Sequence, residues 1–542
     1  MPKILARILL LVLAGFAVAA DAAPAGVVAA ETAYLDWLDA RSAVSALEEG
    51  AFERYQGRDR GEWEAIEGDR RAIFAARLEG LADERLPDAE DRAVAVMRRA
   101  LETAPVVVAE AGAGGRPACD DAQRRDLDLA ALRQALEACF AELGGALEFE
   151  GDVVDRGTAL QRLHLIEEPA RRKALFDAFR PLWFALNGDN SPDSPYRRLV
   201  ALAAEAGAGN GTEVDAAAQA LGLTTAEVER WLLEVLDAWR QSVGPGMVEP
   251  WDYRYVHGEA LRRLEPRIPA PVLVPVSERF YADLGVDLRR LGVVYDLAAR
   301  TGKSPYAFAD FLQRGRIAQG QWRPSVALVV ATYPEGGLFA LNEFIHELGH
   351  AAHIGAIRTR PAFLDWPDTL FTEAFADVPS WSIYEPAWQR RYLGGDVPEA
   401  MAMRALYSVV MLDVAWGLFE LRMLREPAAD PNEVWTAITS HYLRIVSHPE
   451  VPWWAMRVQL ASDPGYMINY GLGAILTAEI RQRTAETIGP FDAGRNDWYA
   501  WTSGRLLQFG SEHDTRSLLE QLLGRAVSPA ALVGQVRRLS QR

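Results

Sequence analysis

The sequence predicts a mainly α fold with a small β-sheet beside its most informative helix. Apolar residues recur at helical spacing along most of the chain, strand signals are confined to two short runs, and no fixed-period repeat is visible. Of the 542 residues, 50% are hydrophobic and 24% charged, which supplies a large core and excludes global disorder. The formal net charge of −18 repels phosphate backbones and argues against a nucleic-acid partner.

In chain order, Lys3 and Arg7 precede an apolar run from Ile8 to Ala20, and small residues follow at Ala22 and Ala23. This is the pattern of a secretory signal, assigned to residues 1–22, and the run is shorter than the ~20 residues that span a bilayer. Residues 23–542 are then expected to be one exported unit, periplasmic or secreted. No second long apolar stretch is visible, so no stable membrane insertion is expected after signal removal, nor is an obligate protein partner evident. Only two cysteines occur, Cys119 and Cys139. In an oxidising compartment they either pair or remain two buried thiols, and they are too few for a sulfur-rich metal site.

Helical patterns run from Val28 to about Tyr55 and over 65–84, 88–102, 120–142 and 168–187, with a loop at Gly112–Gly115. Thr224 and Glu227 form a capping box that opens a helix through Trp231 and Trp239, ending at Gly244-Pro245-Gly246. Pro266, Pro269, Pro271 and Pro275 break the chain before the two strand runs, Leu291–Leu297 and Ser325–Thr332. Pro334-Glu335-Gly336-Gly337 then turns into a long helix starting near Leu338. Further helices are predicted over 368–385, 398–425, 430–446, 465–484, 512–523 and 528–540, with Pro379 interrupting the first.

The strongest local signal is His346-Glu347-Leu348-Gly349-His350, in a chain with only 8 histidines. The i,i+4 spacing places both imidazoles on one helical face, where they can bind one Zn2+ ion, and Glu347 stands beside them as a base for water. Gly349 costs about 1 kcal/mol of helix propensity relative to alanine. Its bare backbone would let another segment approach. A third ligand is expected from a separate helix. In Thr372-Glu373-Ala374-Phe375-Ala376-Asp377, Glu373 is placed to bind the metal and Asp377, at i+4, to accept the proton of a ligand imidazole. Histidines at i, i+4 and i+7 of a straight helix converge poorly on one ion, so His353 is expected to line the groove or support the metal shell.

These residues carry a family resemblance. HELGHAAH at 346–353 with FTEAFAD at 371–377 resembles the gluzincin zinc metallopeptidases, both the thimet oligopeptidase and oligoendopeptidase family and the angiotensin-converting enzyme family. VVYDLAARTGKSPYAF at 293–308 and LLQFGSEHDTRSLLEQLLGR at 506–525 resemble the oligopeptidase side. The aspartate four places after Glu373 looks more like the converting-enzyme side. The resemblance implies a two-lobed helical molecule around a deep channel, with the zinc-site core at about 290–485. It also implies that the strand at 325–332 is the edge that pairs with substrate backbone.

Gly465-Tyr466-Met467-Ile468-Asn469-Tyr470 resembles the tyrosine-bearing segment of the same families. Tyr470 is the first candidate donor to a developing oxyanion and Tyr466 the second. The chain departs from the oligopeptidase pattern at Gly473, where a further tyrosine is expected, and at Leu460, where a histidine is. The expected activity is zinc-dependent hydrolysis of short peptides, as endopeptidase or carboxydipeptidase; the alternative is a noncatalytic, zinc-containing peptide-binding protein.

Overall fold

The computed structural model describes residues 23–103, 118–300, 303–304 and 306–540. The signal at 1–22 and the loop at Gly112–Gly115 lie outside the described residues. The fold is mainly α. One large core cluster runs through most of it, from Leu35 to Leu539, and buries whole tryptophans such as Trp183, Trp239, Trp416 and Trp435.

Several helices differ from their sequence patterns at the ends, for local reasons. The first spans Ala25–Glu48 and stops short of Tyr55. The second spans Arg60–Glu79, opened by Asp59 and Glu62 in a capping box. The 120–142 pattern divides into Ala118–Ala122 and Leu129–Gly144, because Asp128 caps a new helix by accepting from Ala131 N. The 168–187 pattern divides into Pro169–Asp177 and Arg180–Asn187, with Pro181 in the first turn of the second piece. The Thr224–Glu227 capping box is present, and its helix runs Thr225–Ser242. Cys119 and Cys139 form a disulfide between the two helices that precede and follow the 123–128 turn.

Glu399–Arg425 is long and apolar enough to cross a membrane by composition, a feature absent from the sequence expectation. Its most apolar window is 83% buried among other helices, so it is a core helix here. The others that position the site are the motif helix Gly337–Ala356, the carboxylate helix Thr369–Ser380 and the tyrosine helix Met467–Ile488. Pro379 lies inside the carboxylate helix, which gives way to a 3-10 turn at Trp381–Tyr384.

Seven short strands are described: β1 (Leu147–Phe149), β2 (Asp152–Val154), β3 (Val294–Asp296), β4 (Phe308–Gln313), β5 (Arg316–Ala318), β6 (Gln321–Arg323) and β7 (Val326–Val330). β1–β2 and β5–β6 are hairpins; β3, β7 and β4 form the sheet beside the motif helix. Here the structure corrects the sequence expectation. β7, the Ser325–Thr332 run, is the central strand, parallel to β3 and antiparallel to β4. Its near-continuous apolar content suits a strand flanked on both sides. The edges are β3 and β4, and β4 lacks a clean alternation of apolar and polar residues. Ala331 N donates to Asp296 O, so odd-numbered residues of β7 face β3 and even-numbered ones face β4. Leu328 and Val330 stand opposite Asp310 and Phe308. Ala309 therefore turns its N–H and C=O away from β7.

Candidate metal centre

Close approach of two helices builds the centre. Gly349 sits where a Cβ would lie 2.8 Å from Ala376 Cα and 2.9 Å from Ala376 O, so any side chain there would push the carboxylate helix away. The bare backbone brings Glu373 and Asp377 onto the two imidazoles. His346 Nε2 and His350 Nε2 are 3.1 Å apart. Glu373 Oε2 lies 3.3 Å from the first and 3.9 Å from the second. One ligand atom from each of His346, His350 and Glu373 falls within a 4.8 Å span.

These atoms fit a shared cation. Two nitrogens at zinc-bond lengths in a tetrahedron are separated by about 3.3 Å. Glu373 Oε2 is buried with no hydrogen-bond partner, while its Oε1 accepts from the Tyr466 hydroxyl at 2.8 Å. A buried carboxylate oxygen without a donor is costly unless a cation meets it. His346 Nδ1 faces Asp377 Oδ1 at 2.8 Å, and Ser380 Oγ donates to the same oxygen at 3.0 Å. This fixes the ring so that Nε2 points at the centre.

The electrostatics agree. Burial pulls His346 down, but Asp377 and Glu373 outweigh it and hold its pKa well above the ordinary 6.5. The carboxylates that favour a proton on this imidazole also favour a metal cation. His350 is driven down to about 3 by burial and by the charge on His346, leaving a neutral imidazole suited to ligation. Glu347 is 5% exposed, and burial, with Glu373 and Glu343 adding to it against His346, raises its pKa to about 8.

The centre opens on a cleft of about 440 Å³, lined on one wall by His346, Glu347, His350 and Glu373, and elsewhere by Tyr306–Ala309, Gln459, Tyr466 and Tyr470. The two candidate tyrosines differ. Tyr466 has its hydroxyl proton on Glu373. Tyr470 accepts from Gln459 Nε2 at 3.4 Å and donates to no described group, so its proton is free for the cleft. Both hydroxyls are held well above the ordinary pKa of 10 by burial and by Glu373, so both stay protonated donors. The tyrosine helix begins at a fixed point because buried Glu420 accepts from Gly465 N at 2.9 Å and Met467 N at 2.7 Å.

His353 is not a groove residue. It is 1% exposed and packed among Trp366, Phe371 and Phe375, and burial lowers its pKa to about 3. One further helical turn rotates it away from the cleft and under the carboxylate helix. Gly473 faces Ala374 on that helix, with 3.6 Å between its would-be Cβ and Ala374 N, so the position packs two helices and does not address the cleft. Leu460 is fully buried, and its neighbour Gln459 presents the polar group there. Sequence reasoning missed Glu343, Tyr306–Ala309 and Gln459. Glu343 alone carried a signal, lying three and four places before His346 and Glu347 on the same helical face.

No protein-family model and no curated protein sequence matches the chain. Solved structures do. PZ peptidase A, in a complex with an inhibitor, superposes with a TM-score of 0.57 at 16% identity, covering 93% of this chain and 96% of that one. Metallocarboxypeptidase 1 of Trypanosoma cruzi gives 0.54 at 14% identity over 95% and 99%. An M32 carboxypeptidase from Deinococcus radiodurans gives 0.53 at 14% over 95% and 99%. The chain has the fold of these peptidases. The gluzincin resemblance carried by the motifs is thus accompanied by the fold, over nearly the whole length of both chains.

Proposed function

We propose that this chain is a zinc-dependent peptidase of short, extended peptides. One observation carries the reading: buried Glu347 stands beside three convergent ligand atoms and shares a cleft with the uncommitted hydroxyl of Tyr470. His346, His350 and Glu373 would hold the ion. When bound, zinc supplies Lewis-acid polarisation of water and of the scissile carbonyl. Glu347 takes the proton of the attacking water and delivers it to the leaving amine nitrogen. Tyr470 donates to the carbonyl oxygen as negative charge develops there. Tyr466 orients Glu373 and acts through it. The outward backbone of β4 at Ala309 offers a peptide main-chain pairing, which gives affinity without demanding one side chain.

Export to the periplasm or medium belongs to the same proposal, supported by the residue 1–22 pattern and by a disulfide suited to an oxidising compartment. Zinc-loaded protein is expected to cleave a quenched peptide library, and chelation to stop it. A noncatalytic peptide-binding protein would retain library members without cutting them.

A further inference from the structure

A second pocket joins the cleft at Tyr306 and Ala307, which line both, and three guanidinium groups meet it: Arg156, Arg254 and Arg457. They are held differently. Arg156 donates from Nε to Met456 O at 2.7 Å and is attracted by Glu343 and Asp155. Arg254 Nη1 meets His164 Nε2 at 3.3 Å. Arg457 is ion-paired with Asp413 of the core helix Glu399–Arg425. Its guanidinium also lies over two rings, 4.9 Å from the centroid of Trp416 and 5.8 Å from that of Tyr470. Of the three, Arg457 is the one stacked on a tyrosine of the cleft.

The brace behind this stack is rigid. Asp413 and Trp416 are three residues apart on the core helix, which sets a carboxylate and a ring side by side. Trp416 is fully buried, and its Nε1 donates to Trp454 O at 2.9 Å, so its ring is a fixed floor. Arg457 follows the 3-10 turn Trp453–Met456, and two residues later Gln459 donates to the Tyr470 hydroxyl at 3.4 Å. One short segment thus holds both the face and the hydroxyl of Tyr470.

The charges give the stack a consequence. Burial raises the Tyr470 hydroxyl above its ordinary pKa, and Glu373 and Glu347 add to that, while Arg457 opposes them. A phenol that donates to a developing oxyanion gains negative charge on its own oxygen. A cation over its ring stabilises that charge more in the transition state than before it.

We infer that Arg457 is a positioning residue of the reaction: braced by Asp413 and Trp416, it fixes the Tyr470 ring and makes its hydroxyl a stronger donor to the oxyanion. The inference rests on the peptidase reading above and adds to it a residue that acts through Tyr470.

A double-mutant cycle tests it. Arg457→Met is made together with Asp413→Leu, so that no buried carboxylate is left without its partner. In zinc-loaded enzyme cleaving a quenched peptide, this pair should lower kcat about ten- to thirtyfold and leave KM within about twofold. In a Tyr470→Phe background the same pair should cost less than about twofold more, because the hydroxyl through which Arg457 acts is gone. Arg457→Lys keeps the charge without the planar stack and should fall between Met and Arg. Equal kcat losses in the two backgrounds overturn the inference, since they mark a purely structural role. So does an unchanged kcat in the folded pair variant. If the pair variant does not fold, the same cycle run with Arg457→Lys decides by the same criterion. Fluorotyrosine in place of Tyr470 gives a readout that needs neither metal nor turnover. Its fluorine resonance should move in the Arg457→Met, Asp413→Leu protein and move less in Arg457→Lys; an unmoved resonance overturns the inference. A moved resonance in a zinc-loaded protein that cleaves no peptide would remove the peptidase reading and leave the hold of Arg457 on Tyr470 standing.

Discussion

The metal centre and the arginine pocket are both buried clusters of charge, separated by about one turn of one helix, and they are built in opposite ways. In the metal centre, acids and imidazoles answer one another: His346 meets Asp377, Glu373 meets Tyr466, and the remaining lone pairs converge on one point. In the pocket, three guanidinium groups stand together; Asp155 caps a helix, Glu335 pairs with Arg162, and Glu343 is left to attract Arg156. One cluster fits a cation, and the other gathers guanidinium groups.

The largest effect should come from the metal side. Glu347→Gln is expected to lower peptide turnover by about 10²–10⁴ while metal content by elemental analysis is unchanged. Unchanged turnover would remove Glu347 as the base. Next, Tyr470→Phe should lower kcat by about 10²–10³ with little change in KM, because its hydroxyl is needed only as charge develops. Tyr466→Phe should instead weaken metal binding, since its hydroxyl serves Glu373; a larger kcat loss in Tyr466→Phe would reverse the two roles. Asp377→Ala is expected to lower metal affinity about 10–100-fold, read by competition with a chelating dye. Intact affinity would show that His346 is oriented without it. The smallest effect concerns support. Gly349→Ala should cost about 1–3 kcal/mol in thermal unfolding, with weaker metal binding, because the added Cβ meets the Ala376 backbone. If stability falls while metal binding holds, the helix contact does not set the ligand geometry.

Legibility in the sequence followed sequence distance. His346, Glu347 and His350 could be read because helical periodicity alone places them together, and Glu373 with Asp377 because one more helix presents both on one face. Gly349 was readable for the same reason. The fate of His353 was not: an i+7 position lies near the same face, and only packing of Trp366, Phe371 and Phe375 around it decides that it is covered. The edge strand was misplaced for a related reason. An apolar run such as Val326–Val330 announces a strand, but its place in the sheet depends on partners elsewhere in the chain, and β4 carries the weaker pattern.

By itself, then, the sequence determined a mainly helical chain with two histidines, a base and a carboxylate spaced for one ion, because those positions are set by the rise and turn of an α-helix. Tertiary structure decided which tyrosine keeps a free proton, which strand lines the cleft and that Arg156 and Arg254 meet at its side. Each of those depends on groups brought together across long stretches of chain by burial of the core, and no local period encodes them.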